Sequence, residues 1–226
     1  MARLLSPADM LTIINVILGF LAIIMIISGQ TRIAFSFILL ALLADGLDGI
    51  IARKTKKEGE LGEYLEAIAD MTSLSIASSV FVYKKYYENI DSSIYFHFQI
   101  LLYIVLILFL ITSAIRLSSF HKLKEKKCFV GLPLSAATLF ALLLSFFKIP
   151  FIYISIVMAI LSFMMISNLR FPKPGLKMNS VAAALIVLTI IMGDTCNGMF
   201  PILLLLALTA YTTVGPFLCK SKKQIF

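Results

Sequence analysis

The chain has 226 residues, of which 60% are hydrophobic and 14% charged, with a mean hydropathy of +0.99. A water-soluble fold of this size could not cover so much apolar surface, which excludes a soluble globular enzyme; the composition also excludes collagen, coiled coil and disorder. Twenty Lys and Arg against twelve Asp and Glu leave a net charge of +8, an excess read first as a membrane topology signal.

The first apolar run is too long for a signal-peptide core and no polar mature region follows it, so it is expected to be a retained span. Ser6-Pro7-Ala8-Asp9 supplies its start: a Ser cap, Pro at the first helical position and an acid in the first turn. Apolar runs long enough to cross about 30 Å of hydrocarbon as helix recur along the chain. There are eight, near 8–28, 33–52, 62–82, 95–115, 131–147, 150–168, 178–193 and 198–219. The fifth and sixth are divided by little more than Lys148-Ile149-Pro150, which leaves open a helical hairpin or one poorly divided segment. The expected fold is an all-α, polytopic transmembrane helix bundle: one integral membrane domain over 1–226, with a six-helix core and an additional hairpin over 178–219.

On this reading sixteen of the twenty basic residues fall in loops on one side of the bilayer, and only Arg32, Lys84, Lys85 and Lys148 on the other. Short loops rich in Lys and Arg stay cytoplasmic, so both termini are expected there. Charge spread over separate short loops, without interleaved aromatics, argues against nucleic acid. Cys128, Cys196 and Cys219 form no CxxC pair and have no partners at zinc-site spacing, so neither a disulfide framework nor a zinc site is expected.

Carboxylates inside apolar spans are costly and are candidates for function. Asp45 and Asp48 lie three apart near the end of the second span, and Glu66 and Asp70 lie four apart near the start of the third, so each pair shares a helix face. Two such faces packed antiparallel would meet at one depth. Four acids there would repel unless a cation lay between them; every donor is oxygen, so the ion is expected to be Mg²⁺ or Mn²⁺, in one or two copies. Gly49 removes a side chain where a ligand could approach the backbone, and Gly62 opens the third helix or lets it pack closely. Arg53, one turn beyond Gly49, suits phosphate oxygens. The set fits phosphoryl transfer from a diphosphate, with a carboxylate taking the proton of an incoming hydroxyl.

Asp45-x₂-Asp48-Gly49-x₂-Ala52-Arg53, eight residues, then Gly62-x₃-Glu66-x₃-Asp70 resembles the signature of the CDP-alcohol phosphatidyltransferases over residues 45–70. Glu66 stands where that family has its third Asp. Further segments are similar to the membrane-integral phosphatidylserine and archaetidylserine synthase branch: Asn15 with Gly19, Ala69 to Ala77, Ser113 to Leu117, Phe129-Val130-Gly131-Leu132-Pro133, and Ser167-Asn168-Leu169-Arg170-Phe171-Pro172. The resemblance implies that Asp45, Asp48, Glu66 and Asp70 hold two divalent ions and that Asp70 is the general base. It also implies that Gly49, Arg53, Asn15, Ala52 and Gly62 serve a CDP-lipid, CDP-diacylglycerol or CDP-archaeol. L-serine would be the acceptor and CMP the product, in a multi-pass homodimer of the cell membrane whose active site faces the cytoplasm.

Arg116, Arg170 and Lys173 are weaker candidates, for serine or phosphate, against a plain topology role, and Asn168 is a candidate for the substrate against a bond to another helix. Glu63 is read as a solvated acid at a helix start, with an extra ligand as the alternative. His97 and His121 are read as interfacial. Within the family the rival acceptors are glycerol 3-phosphate and inositol phosphate; outside it the rival is a divalent-cation transporter, which would use the acids but not Gly49 and Arg53.

Overall fold

The computed structural model describes residues 7–55, 62–87, 95–119, 128–193 and 198–221. Each of the eight apolar runs holds a helix, so the all-α membrane bundle expected from hydropathy is the fold. The chain divides into two compact units, Met1–Leu110 and Ile111–Phe226.

In the first unit α1 (Pro7–Ile27) leads to α2 (Thr31–Thr55) through a Schellman-type close. Gly29 adopts φ 78°, and the Gln30 amide donates to the Met25 carbonyl at 2.8 Å. The following rod, Gly62–Tyr87, is continuous but not uniform. It is α3 (Gly62–Asp70), a six-residue π-helical turn over Met71–Ile76, and α4 (Ala77–Tyr87). Helix α1 packs on α2 and along the whole of this rod.

Helix α1 buries Asp9, Thr12, Asn15, Ala22 and Ile26 and exposes Met10, Ile14, Ile17, Phe20, Ile24 and Ile27. Such a helix would be inside out in water; in lipid the polar groups belong inside and the Ile and Phe side chains meet the acyl chains. Gly19 lies on the buried face, where an added Cβ would stand 2.6 Å from Ser73 Cα. The absent side chain is therefore what lets α1 reach the π turn.

Helix α5 (Tyr95–Ser119) leads to the second unit, which contains α6 (Leu134–Phe146), α7 (Phe151–Ile166), α8 (Leu176–Met192) and α9 (Met199–Ser221). The fifth and sixth runs are a true hairpin: Lys148 takes φ 52° and Pro150 caps α7. Among the described residues four segments are long and apolar enough to cross a membrane: Asp9–Ile27, Gly62–Tyr87, His97–Ser119 and Met199–Cys219. Helices α6 and α7 and the described part of α8 are shorter.

Two features depart from expectation. A strand precedes the fifth run, with β1 (Cys128–Val130) pairing antiparallel to β2 (Arg170–Pro172), Cys128 opposite Pro172 and Val130 opposite Arg170. Helix α6 therefore begins at Leu134 rather than near 131, capped by Pro133. Between strand and helix, Gly131 takes φ 75°, and a Cβ there would lie 2.2 Å from the Met165 carbonyl oxygen, so only glycine fits. Second, Cys128 and Cys219 form a disulfide across 91 residues of sequence, where no bridge was expected from spacing. The fold pairs cysteines that the sequence keeps far apart.

Candidate active site

The site is built where α1 crosses the α3–π junction. Asp70 is the last residue of α3 and the cap of the π turn, and is only 8% exposed. The Asn15 side-chain amide, fully buried on α1, donates from Nδ2 to Asp70 Oδ1 at 3.3 Å. A buried carboxylate requires such donors, because removing a charge from water without them costs several kcal/mol. The Asn15 Oδ1 atom is buried with no hydrogen-bond partner, an acceptor oxygen beside the last carboxylate of the motif.

The π turn contributes to this placement. A π turn holds an extra residue, rotating everything after it relative to a regular helix, and such turns concentrate at functional sites. Here the Ala77 amide closes the turn on the Thr72 carbonyl, while the Thr72 and Ser73 hydroxyls donate back to the Ile68 and Ala69 carbonyls at 2.9 Å each. These bonds satisfy backbone acceptors immediately around Asp70.

At the N-terminal ends of α1 and α3, Asp9 is 3% exposed, and a Cβ on Gly62 would stand 3.1 Å from its Oδ1. Gly62 is the first residue of α3, and its missing side chain also leaves room for the Asp9 carboxylate. Asp9 and the equally buried Thr12 were not singled out as site residues from sequence. Their spacing with Asn15, at positions 9, 12 and 15, is the signal that marks one polar face on an otherwise apolar helix.

Asp45 on α2 and Glu66 on α3 are half-buried, and Glu63 is exposed at the start of α3. The side chains of Asp48, Gly49, Ala52 and Arg53 lie outside the described residues, as does His121. Among the described residues no three His, Cys, Asp or Glu side chains come together as a metal site. The donor chemistry nevertheless suits a hard divalent ion: the acids offer only oxygen, and the unpartnered Asn15 oxygen adds another.

In the second unit Arg116 is 7% exposed and its Nε donates to the Leu132 carbonyl at 2.8 Å. Arg170 and Lys173 are half-buried at β2, with the Lys173 ammonium 5.1 Å from the centre of the Phe129 ring. Asn168 is exposed in the turn before β2. Arg116 and the ribbon form one neighbourhood, because Leu132 follows β1 and its amide donates to the Met164 carbonyl at 3.0 Å.

Residues 5–169 match the family model for CDP-alcohol phosphatidyltransferase. The chain is 32% identical over 173 residues to the CDP-diacylglycerol–serine O-phosphatidyltransferase of Methanocaldococcus jannaschii, covering 76% of each chain. It is 30% identical over 172 residues to the archaetidylserine synthase of Methanothermobacter thermautotrophicus, covering 73% of this chain and 69% of that one. With the CDP-diacylglycerol–serine O-phosphatidyltransferase of Bacillus subtilis it shares 29% identity over 164 residues, 72% of this chain and 88% of the other. The protein is thus a transferase, and it belongs to the CDP-alcohol phosphatidyltransferase family.

Proposed function

We propose that this transferase moves a phosphatidyl-type group from CDP-diacylglycerol or CDP-archaeol to L-serine, releasing CMP. One structural observation carries the assignment of the chemistry: the final carboxylate of the 45–70 motif is buried at a π turn and held by Asn15. A carboxylate fixed in this way can accept a proton in one orientation. The choice of serine rests on the names of the relatives, and the two lipid tails remain equal because both kinds of synthase are among them.

Asp45, Asp48, Glu66 and Asp70 would hold Mg²⁺ or Mn²⁺, two ions in the full site, which would supply neutralisation of the diphosphate charge. Arg53 clamps diphosphate oxygens, while Gly49, with Ala52, Gly62 and Asn15, makes room for the nucleotide end of the lipid. Asp70 takes the proton of the serine hydroxyl as its oxygen attacks the lipid-linked phosphorus. The bond from that phosphorus to the bridging oxygen breaks, and the oxygen leaves on CMP. Arg116, Arg170 and Lys173, with Asn168, serve the acceptor carboxylate or a phosphate. The enzyme acts as a homodimer in the cell membrane with its carboxylates toward the cytoplasm, the side to which the loop charges assign them.

The test is CMP release by purified protein with each CDP-lipid, offering serine, glycerol 3-phosphate and inositol phosphate in turn. Serine-dependent release supports the reading. Release with a phosphorylated alcohol alone would replace the acceptor, and cation flux without any CMP release would replace the chemistry.

A further inference from the structure

Helix α9 lies beyond the residues that match the family model, yet one of its faces is devoted to the β1–β2 ribbon. Tyr211, Gly215 and Cys219 recur every four residues and so share that face. The Tyr211 hydroxyl donates to the Pro172 carbonyl at 3.2 Å, and its ring lies 5.8 Å from that of the fully buried Phe171. A Cβ on Gly215 would stand 3.1 Å from Pro172 Cδ and 3.3 Å from Phe171 Cδ1. Cys219 is bonded to Cys128, the residue paired with Pro172 across the ribbon. All three contacts therefore grip the same end of the ribbon.

The other end carries Arg170, opposite Val130, and continues through Gly131 to Leu132, whose carbonyl anchors Arg116. The Gly131 amide donates to the Leu169 carbonyl at 2.7 Å, so the pairing continues one step past Val130 and Arg170. Displacing Pro172 must therefore move Arg170, two residues away in the same strand.

We propose that Tyr211 is a positioning residue for acceptor binding: through Pro172 and Phe171 it fixes the ribbon that sets Arg170 and Arg116. This rests on the reading above that these arginines serve the acceptor. It also gives the C-terminal hairpin, absent from the family match, a role in the reaction.

The experiment uses the full-length protein in detergent, comparing wild type with Tyr211→Phe and Gly215→Ala. CMP release is followed against serine at saturating CDP-lipid, and against CDP-lipid at saturating serine. Loss of this one part-buried hydrogen bond should raise the KM for serine about two- to tenfold. The KM for CDP-lipid and kcat should stay at wild-type values in Tyr211→Phe, with the melting temperature lowered by no more than a few degrees. Gly215→Ala, which pushes on the same proline, should shift the serine KM in the same direction. An unchanged serine KM in both variants would overturn the proposal, as would a joint loss of both KM values, kcat and melting temperature. If wild type itself uses another hydroxyl acceptor, the serine reading fails by itself. The variants are then scored against that acceptor, where a selective KM rise supports Tyr211 and its absence overturns it.

Discussion

Asn15 on α1 and Asp70 at the end of α3, 55 residues apart, meet in a buried hydrogen bond of 3.3 Å from amide nitrogen to carboxylate oxygen. The contact joins the opening helix to the last acid of the motif. It makes the position of Asp70 depend on a helix that carries none of the motif itself.

Replacing either partner should therefore damage turnover. Asp70→Asn, which removes the proposed general base, should lower kcat by about 10²-fold or more while CDP-lipid still binds. Asn15→Ala should lower kcat about tenfold or more, the effect of one hydrogen bond to a charged group. Steady-state kinetics with a separate nucleotide-lipid binding measurement check both, and normal turnover in Asp70→Asn would remove that residue as base.

The close approach of Gly19 to Ser73 predicts a second loss. With only 2.6 Å available for a Cβ, Gly19→Ala should force α1 away from the π turn, costing about 1–3 kcal/mol and activity as well. Gly175→Ala is the control, since nothing lies within 4 Å of its added Cβ. Thermal unfolding and CMP release on the same preparations decide this. Wild-type behaviour of Gly19→Ala would show that the two helices can separate without consequence.

Much of this was legible in the sequence, and the parts that were not share a physical cause. Pro7 and Pro150 mark helix starts through their own fixed φ, and the acids of residues 45–70 stand out because lipid penalises them. The π turn after Asp70, the three-residue strands and the Cys128–Cys219 bridge carry no period or local propensity to read. They follow from how distant segments pack: Gly19 against Ser73, Gly131 against Met165, α9 against Pro172. Asp9 reads in the sequence as the acid of a helix's first turn, since the burial of one polar face over Asp9, Thr12 and Asn15 shows only once α1 has a neighbour.

Position 66 separates two ways of building the proposed metal site. Glu66→Asp restores the residue the family uses there and should retain metal-dependent activity within about tenfold, because one shorter arm shifts a ligand without deleting it. Glu66→Ala should remove it. Complete inactivity of Glu66→Asp, with the protein still folded, would mean the site is shaped around the longer side chain.

The disulfide predicts a thiol count. Of the three cysteines, one should react with an alkylating reagent in the unreduced, denatured protein and three after reduction, as read by mass spectrometry. Three reactive thiols without reductant would contradict the bridge. Closing a 91-residue loop limits the unfolded chain by about 4–5 kcal/mol in the chain-entropy picture. Helices already held in a bilayer have less freedom to lose, so Cys219→Ser should lower stability by less than this.

The most direct measurement is whether isotope-labelled serine enters lipid. Purified protein is supplied with CDP-diacylglycerol or CDP-archaeol, Mg²⁺ or Mn²⁺ and labelled serine, and the extracted lipid is weighed by mass spectrometry alongside the CMP released. The expected result is a serine-bearing phospholipid in one-to-one ratio with CMP, abolished in Asp70→Asn. CMP released without label in the lipid, or labelled lipid formed equally well by Asp70→Asn, would contradict it.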